Sequence, residues 1–236
     1  MVRSRVAVVA TMAALALTLG LSQPAHALTK TNKGWVARSA ELCVWDEATA
    51  SHGPTNMGQA LGVTKSYTRL YVPVWKQWIW CGLYYSRPPG NIATSVNWMK
   101  WNGYSWVNCY YTGFRYNSVT TYIYSVGVNF PWPWCGNGYY LTVASSWVYN
   151  NGWQGGGTWS PYIWVQSPYS QAVDEEPPSP EWANPDGTVD AEKLPADLRA
   201  TFTPPSGEGT PDPAQPSQVY LDEEGNLVET TILDAA

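Results

Sequence analysis

The amino-acid sequence predicts an all-β fold: a compact antiparallel β-sandwich of general immunoglobulin-like architecture, with two disulfides, followed by an acidic tail. Three observations predict the sandwich. Runs rich in Tyr, Trp, Val and Thr recur between residues 41 and 166, Gly and Pro separate them, and no stretch keeps the 3.6-residue period of a helix. A small closed barrel is the alternative that the same pattern allows.

Segments with the strand pattern follow one another along this body. Because successive residues of a strand point to opposite sides, alternation indicates which side chains face inward. Over 119–130 the heavier set, the even-numbered residues from Tyr122 to Phe130, is expected inside. Over 139–149 the odd-numbered set is expected inside. The turn Asn102-Gly103 predicts a tight hairpin. The candidate strands cover residues 41–46, 67–85 with a break at Pro73 or Gly82, 94–101, 105–114, 119–130, 138–149 and 161–166.

Residues 1–27 have the pattern of a secretory signal peptide. Arg3 and Arg5 supply a positive start, residues 6–21 form an apolar run, and Ala25-His26-Ala27 is a cleavage site of the A-x-A type. The mature chain is therefore expected to begin at Leu28 and to be secreted to the extracellular space. No later segment has the roughly 18 apolar residues that a membrane span needs, so no span is expected.

Four cysteines lie in the aromatic body, and none forms a C-x-x-C pair. In an oxidising extracellular compartment they are expected to form two structural disulfides. Of the three possible connectivities, we favour Cys43 with Cys81 and Cys109 with Cys135, because shorter loops close at lower entropic cost. Each bridge is expected to contribute about 2 to 4 kcal/mol to stability.

Charge divides the mature chain at residue 173. The body, residues 28–173, carries nine Lys or Arg against three carboxylates, a net charge of +6. The tail, residues 174–236, carries fifteen Asp or Glu against two cations, a net charge of −13, and is rich in proline. Low hydrophobicity with high net charge predicts a mostly disordered tail. Residues 219–228 are an exception, because they carry a hairpin pattern that is expected to order by adding to another sheet.

The body has few side chains suited to catalysis or metal binding. After removal of the signal, His52 is its single histidine, which is too few for a Ser/His/Asp triad or a zinc site. On an extended strand Glu41 and Glu47 lie about 20 Å apart and Asp46 points to the other side, so the carboxylate pair of a glycosidase is not expected. We expect no catalytic residue, no metal ligand and no cofactor, and we interpret the protein as a non-enzyme.

Aromatic residues dominate the body, with fourteen Trp and fourteen Tyr between residues 35 and 164. About two thirds of them are expected to be structural. Indoles exposed on loops beside amides can stack on sugar rings, so the sequence predicts a secreted binding module for an extracellular glycan or cell-wall polymer. The candidate ligand-binding residues are Trp132 and Trp134 in a proline-rich loop, and Trp153, Trp159, Asn151 and Gln154 in a glycine-containing loop.

A secreted protein-interaction component is the alternative, for example an inhibitor, an adaptor of an extracellular assembly or an envelope-associated structural protein. Trp and Tyr also dominate protein interfaces, so composition alone does not choose. A glycan reader should expose near-coplanar rings surrounded by amides, whereas a protein binder should expose a broader mixed patch. Export and the acidic tail argue against nucleic acid. The tail is expected either to keep the protein soluble, or to compete with anionic ligands or supply a strand to a sheet edge.

Overall fold

A computed structural model describes residues 28–39, 41–53, 58–131, 135–166, 184, 202–207, 209, 217–223 and 225–234. Over these residues the chain forms β-strands and no helix, so the all-β prediction is confirmed. The strands are arranged in two sheets packed together, which confirms the sandwich. In chain order they are β1 (Leu28–Arg38), β2 (Cys43–His52), β3 (Gly58–Val72), β4 (Gln77–Tyr84), β5 (Ile92–Trp101), β6 (Trp106–Tyr111), β7 (Arg115–Tyr116), β8 (Ile123–Phe130), β9 (Gly138–Tyr149), β10 (Trp153–Trp159), β11 (Ile163–Val165), β12 (Ser217–Leu221) and β13 (Leu227–Asp234).

The first sheet has the strand order β1-β2-β3-β8-β13-β12, and β4 is paired with the far end of β3. All of these pairs are antiparallel except β13 with β8, which is parallel. β3 is long enough to serve two partners on the side opposite β2. Its first part, residues 58–65, pairs with β8, and its last part, residues 67–72, pairs with β4. The β3–β4 hairpin therefore continues beyond the end of β8.

The second sheet has the order β10-β9-β5-β6, with β11 beside β9 and β7 beside β5. The predicted hairpin between β5 and β6 is present, and Trp101 and Trp106 are the last paired residues. Its loop, residues 102–105, is longer than a two-residue turn. Only Gly103 has a positive φ, 101°, because the longer loop does not require one at Asn102.

The core between the sheets is centred on Trp98. Its indole stacks on Phe130 of the first sheet and on Tyr140 of its own sheet, with ring centroids 5.3 and 5.0 Å apart. The even-numbered residues of β8 from Tyr124 to Phe130 lie in this core, as predicted. The prediction for β9 was wrong. Tyr140 and Val148 face the first sheet, whereas the odd-numbered residues from Tyr139 to Val143 form a second cluster on the outer side. Alternation could not separate the two sides, because both sides of β9 are buried.

Several strands lie wholly or partly outside the predicted segments. Residues 153–159, which were expected to form a glycine-containing loop, form strand β10 instead. β1 and the first part of β3 lack the heavy alternation of β8, so neither is predicted. In β3 the buried positions include Gly62, where an added Cβ would lie 2.9 Å from Val96 Cγ2 and 3.1 Å from Ala144 Cβ of the facing sheet. The sheets approach closely here, and larger side chains would separate them.

Both predicted disulfides are present. Cys43–Cys81 ties β2 to β4, and Cys109–Cys135 ties β6 to the segment that precedes β9. All four cysteines of the sequence are used. The part of the chain that the structure describes contains no helix capable of crossing a membrane.

Candidate functional site

An aromatic hairpin extends from the sandwich where β3 continues beyond the ends of its neighbours β2 and β8. The pairing of β2 with β3 ends at Cys43 and Tyr67. From Thr68 onward the described partner of β3 is β4 alone, and the two strands form a ribbon. We call residues 67–85 the aromatic arm.

The aromatic arm carries nine of the fifteen large apolar side chains that are exposed in the described chain. At its tip Val74 is 87% exposed and Trp75 is 64% exposed. Folded monomers rarely leave a contiguous apolar surface open unless it contacts a partner. The nine residues are Tyr71, Val74, Trp75, Trp78, Ile79, Trp80, Leu83, Tyr84 and Tyr85.

The two sides of the arm differ in chemistry. Tyr71 pairs with Trp78, and their ring centroids lie 5.0 Å apart with the planes tilted by 53°. The guanidinium of Arg69 lies 4.4 Å from the Trp78 ring centroid, in cation–π contact. The next pair, Leu70 with Ile79, points to the other side. One side is therefore aromatic and cationic, and the other is aliphatic.

A bulge and a disulfide hold the base of the arm. The register of β3 and β4 shifts between Thr68 and Leu70, and Cys81 in the opposing bulge has a φ of 56°. The disulfide from Cys81 to Cys43 fastens the bulge to the first residue of β2. Because an isolated two-stranded hairpin is marginally stable in water, this link supports the arm where the wider sheet ends.

A row of rings below the bulge joins the arm to the body. Tyr67 lies 5.0 Å from Trp35 and 5.0 Å from Tyr84, and Tyr84 lies 4.1 Å from Tyr122, all measured between ring centroids. Burial raises the pKa of Tyr67 well above its ordinary value, and the neighbouring Tyr84 adds to the shift. The row therefore joins the arm to the body, with Tyr84 at the boundary because it is packed in the row and still 43% exposed, whereas the rings toward the tip face solvent.

Four of the six side chains predicted to bind ligand lie within the described residues. Trp132 and Trp134 lie outside the described residues. Asn151 is exposed in the turn between β9 and β10, with a φ of 56°. Gln154 is half-buried, opposite Val148 of β9.

Trp153 and Trp159 stand at the two ends of β10, with three glycines between them. They do not form a paired platform, because a six-residue step along a strand separates them by about 20 Å. Both are half-buried, and Trp159 packs against the outer cluster of the second sheet.

Part of the acidic tail lies against this strand. We call residues 202–207 the strap. The ring of Phe202 lies over Gly157, so that a side chain at position 157 would collide with it. The indole Nε1–H of Trp153 donates a hydrogen bond to the carbonyl oxygen of Gly207. The Trp153 indole N–H therefore already has a hydrogen-bond partner within the same chain.

The predicted hairpin of the tail is present and adds to the first sheet, with β13 inserted between β8 and β12. Glu229 of β13 is buried, and its carboxylate accepts hydrogen bonds from the Ser118 N–H (2.8 Å), the Ser118 hydroxyl (2.6 Å) and the Val119 N–H (3.2 Å). Ile232 occupies the space in front of Gly127, where an added Cβ would lie 2.7 Å from Ile232 Cδ1. This stretch of the tail is therefore an integral part of the sandwich, held by hydrogen bonds and side-chain packing.

The carboxyl group of Asp46 is enclosed between the sheets. The Ser146 hydroxyl donates to its Oδ1 at 2.5 Å, and the Thr64 hydroxyl donates to Ser146 Oγ at 2.6 Å. Burial raises the pKa of Asp46 to about 7, although the hydrogen bond from Ser146 acts in the opposite direction. Asp46 is fully buried and is not accessible to a substrate in solution.

The carboxylate of Glu47 interacts with two neighbouring side chains. It forms an ion pair with Lys65 at 2.5 Å and accepts a hydrogen bond from Trp45 Nε1–H at 2.9 Å. Burial acts to raise the pKa of Glu47, but the hydrogen bond and charge of Lys65 outweigh it and the pKa is lowered. The described residues contain no group of three His, Cys, Asp or Glu placed to hold a metal ion.

Comparisons with known protein families, with curated proteins and with solved structures found no match to this chain. The strands predicted over 67–85, with a break at Pro73 or Gly82, are present with the break at residues 73–76, but their exposure was not predicted. A signal was present: residues 70–80 are apolar at both odd and even positions, which a strand covered on one face does not require.

Proposed function

We propose that this protein is a secreted, non-catalytic interaction component that docks on a protein partner through the aromatic arm. The observation that carries the proposal is the exposure of nine large apolar side chains on one short hairpin. Trp, Tyr and Arg are the side chains that most often dominate binding energy at protein interfaces, and the arm presents all three.

The surface of the arm favours protein over glycan. The rings of Tyr71 and Trp78 are tilted by 53° and do not share the plane on which a sugar chain stacks. Gln77 is the single carboxamide of the arm, so hydroxyl groups would find few amide partners. Apolar side chains on both sides of the ribbon instead make the broader mixed patch expected of a protein binder.

Charge indicates what the partner must offer. The arm contains no Asp or Glu, and Arg69 and Lys76 make it positive. Electrostatic complementarity guides encounter and selects among partners. The partner we propose is a secreted protein with an apolar groove that encloses the hairpin and a rim of carboxylates.

Affinity capture with the full mature chain tests this proposal. Wild type should retain a defined secreted protein, identified by quantitative mass spectrometry and then confirmed with both purified proteins. The double variant Trp75→Ala/Trp78→Ala should weaken that purified interaction at least about tenfold, because hot-spot indoles each contribute on the order of 2 kcal/mol. Raised salt should also weaken it, mainly through slower association.

Tyr104→Ala is the matched control, because Tyr104 is 92% exposed but lies outside the arm. It should bind like wild type. Equal binding by the arm variant and wild type would contradict the proposal. So would arm-dependent retention that is found only on insoluble polysaccharide or on vesicles of anionic lipid.

Glycan binding is the second candidate function, favoured by the position of Trp153 beneath the strap. If the strap covers a glycan surface on β10, Phe202→Ala should increase retention of the mature protein on purified cell walls. Trp153→Ala should abolish the gain. Retention that is the same in all three proteins would remove this candidate.

A further inference from the structure

We propose that a cavity between the strap and the second sheet is a binding site for a small neutral polyhydroxylated ligand, of the size of one or two sugar units. The proposal does not depend on the aromatic arm. The cavity has a volume of about 430 Å³, within the range of small-molecule sites. Asn97, Asn108, Tyr111 and Phe114 line it from the body, and residues 203–206 line it from the strap.

Asn97 supplies the polar anchor of the cavity. It lies on β5 opposite Tyr111 of β6 and is only 4% exposed. Its side-chain oxygen Oδ1 is buried and has no hydrogen-bond partner among the described residues. Buried acceptors are almost always satisfied, because leaving one without a donor is destabilising. Rotation of the Asn97 amide toward the cavity would let a ligand hydroxyl donate to Oδ1 and complete this site.

The lining defines the class of ligand. Among the described residues no charged side chain lines it, so an anionic or cationic ligand would find no counter-charge there. The rings of Tyr111 and Phe114, together with Pro204 and Pro205, offer apolar surface for the C–H face of a sugar ring. The Asn108 amide and the Ser206 hydroxyl add polar groups. This combination of apolar faces with uncharged hydrogen-bonding groups suits a neutral saccharide.

The strap is held at both ends and forms one wall of the cavity. Phe202 lies over Gly157, and the Gly207 carbonyl accepts from Trp153. A ligand would therefore be held between two parts of the chain that are distant in sequence. Bound ligand should slow hydrogen exchange in residues 202–207, because it adds contacts to this wall.

Ligand-observed NMR on the full mature protein tests the site. The probes are glucose, N-acetylglucosamine and cellobiose, with glucuronic acid as the charged comparator. At least one neutral probe should show saturation transfer, and the other neutral probes should compete with it. Its dissociation constant should rise at least about fivefold in Asn97→Leu, which removes one hydrogen-bond acceptor.

Two tyrosines of similar exposure provide a matched pair. Tyr111, 47% exposed, lines the cavity, and Tyr220, 53% exposed, lies on β12 of the other sheet. Tyr111→Ala should weaken probe binding, and Tyr220→Ala should leave it unchanged. Because Tyr111 is half-exposed, its variant should fold even if Asn97→Leu does not.

The arm variant Trp75→Ala/Trp78→Ala should bind the sugars like wild type, so failure of the arm proposal and failure of this one are distinguishable. The absence of transfer from every neutral probe would overturn the site. Wild-type affinity in both Asn97→Leu and Tyr111→Ala, or stronger binding of glucuronic acid than of glucose, would also overturn it.

Discussion

Two hairpins are attached to the first sheet. From composition the apolar hairpin should be the more buried and the hairpin of the acidic tail the more exposed, but the structure shows the opposite for their central residues. The aromatic arm is joined through β3 and carries Trp, Tyr, Ile and Leu, yet most of its large side chains face solvent. The C-terminal hairpin is joined through β8 and comes from the acidic tail, yet Val228, Glu229 and Thr231 are buried.

Position in the sheet explains the difference. β13 lies between β8 and β12, so its backbone is paired on both sides and its inward side chains meet the body. The arm continues past the end of β8, where β3 pairs with β4. An apolar ribbon in that position gains little from burial within the monomer. Its aromatic side chains are therefore better explained by contact with a partner.

Removing the tether of the arm should have the largest effect on stability. Cys43→Ala/Cys81→Ala opens a bridge between residues 38 apart and should lower the free energy of unfolding by about 4 kcal/mol. Urea unfolding measures this loss. Trypsin should also cleave faster after Lys76 at the arm tip. Cys109→Ala/Cys135→Ala is the control, and faster cleavage at Lys76 in that control alone would contradict the role of the tether.

Removing the carboxylate that docks the C-terminal hairpin should have the next largest effect. Glu229→Ala leaves the N–H groups of Ser118 and Val119 without their acceptor and should cost about 3 kcal/mol of stability. Thermal unfolding and hydrogen exchange of 227–234 measure it. Glu223→Ala, in the exposed turn of the same hairpin, should change stability by less than about 0.5 kcal/mol. Equal effects of the two variants would show that the hairpin does not dock through Glu229.

Asp46 is the buried carboxyl of the body that contrasts with Glu229 of the tail. Its folded-state pKa of about 7 lies above the ordinary value of 3.8, so the folded state binds the proton more tightly. The associated stability is fully present below about pH 4 and is lost as the pH rises through 7. Wild type should lose roughly 2 to 3 kcal/mol between pH 5 and pH 8 from this group. Asp46→Asn should remove this part of the pH dependence, and an unchanged pH profile would contradict it.

Removing indoles from the arm should have the smallest effect on stability. Trp75→Ala/Trp78→Ala should change the free energy of unfolding by less than about 1 kcal/mol, because both rings are mostly exposed. Trp98→Ala is the comparison and should cost about 3 to 5 kcal/mol, because Trp98 stacks in the core. A loss in the arm variant close to that of Trp98→Ala would mean that the arm is structural.

The fold could be predicted where large and small side chains alternate clearly along a strand. β8 alternates heavy and small residues and was correctly oriented, and the spacing of four cysteines was enough to favour the observed disulfides. β9 was misoriented because both of its sides are buried. The first part of β3 was missed because close packing of the sheets selects Gly and Ala where alternation would otherwise show. β1 was missed because its side chains are exposed or half-buried and show no alternation of heavy and light residues.

The candidate site was less predictable, because exposure depends on where strands end. Trp78 on the arm and Trp98 in the core both lie in segments with strand character, and the local difference is that residues 70–80 are apolar at both odd and even positions. The strap was also not predictable. Phe202 and Gly157 are distant in sequence and meet only because the tail crosses the second sheet. Asn97 lies within an ordinary strand pattern, and only the structure shows its Oδ1 buried beside a cavity.

Hydroxyl-radical footprinting of the mature protein, read by mass spectrometry for each tryptophan, tests the central claim most directly. Oxidation should be rapid at the arm indoles Trp75, Trp78 and Trp80, slower at Trp153 and Trp159 near the strap, and slowest at Trp98. Addition of the partner should protect the three arm indoles first. Faster oxidation of Trp153 and Trp159 than of the arm indoles would contradict the exposure of the arm and would place the exposed aromatic surface on β10.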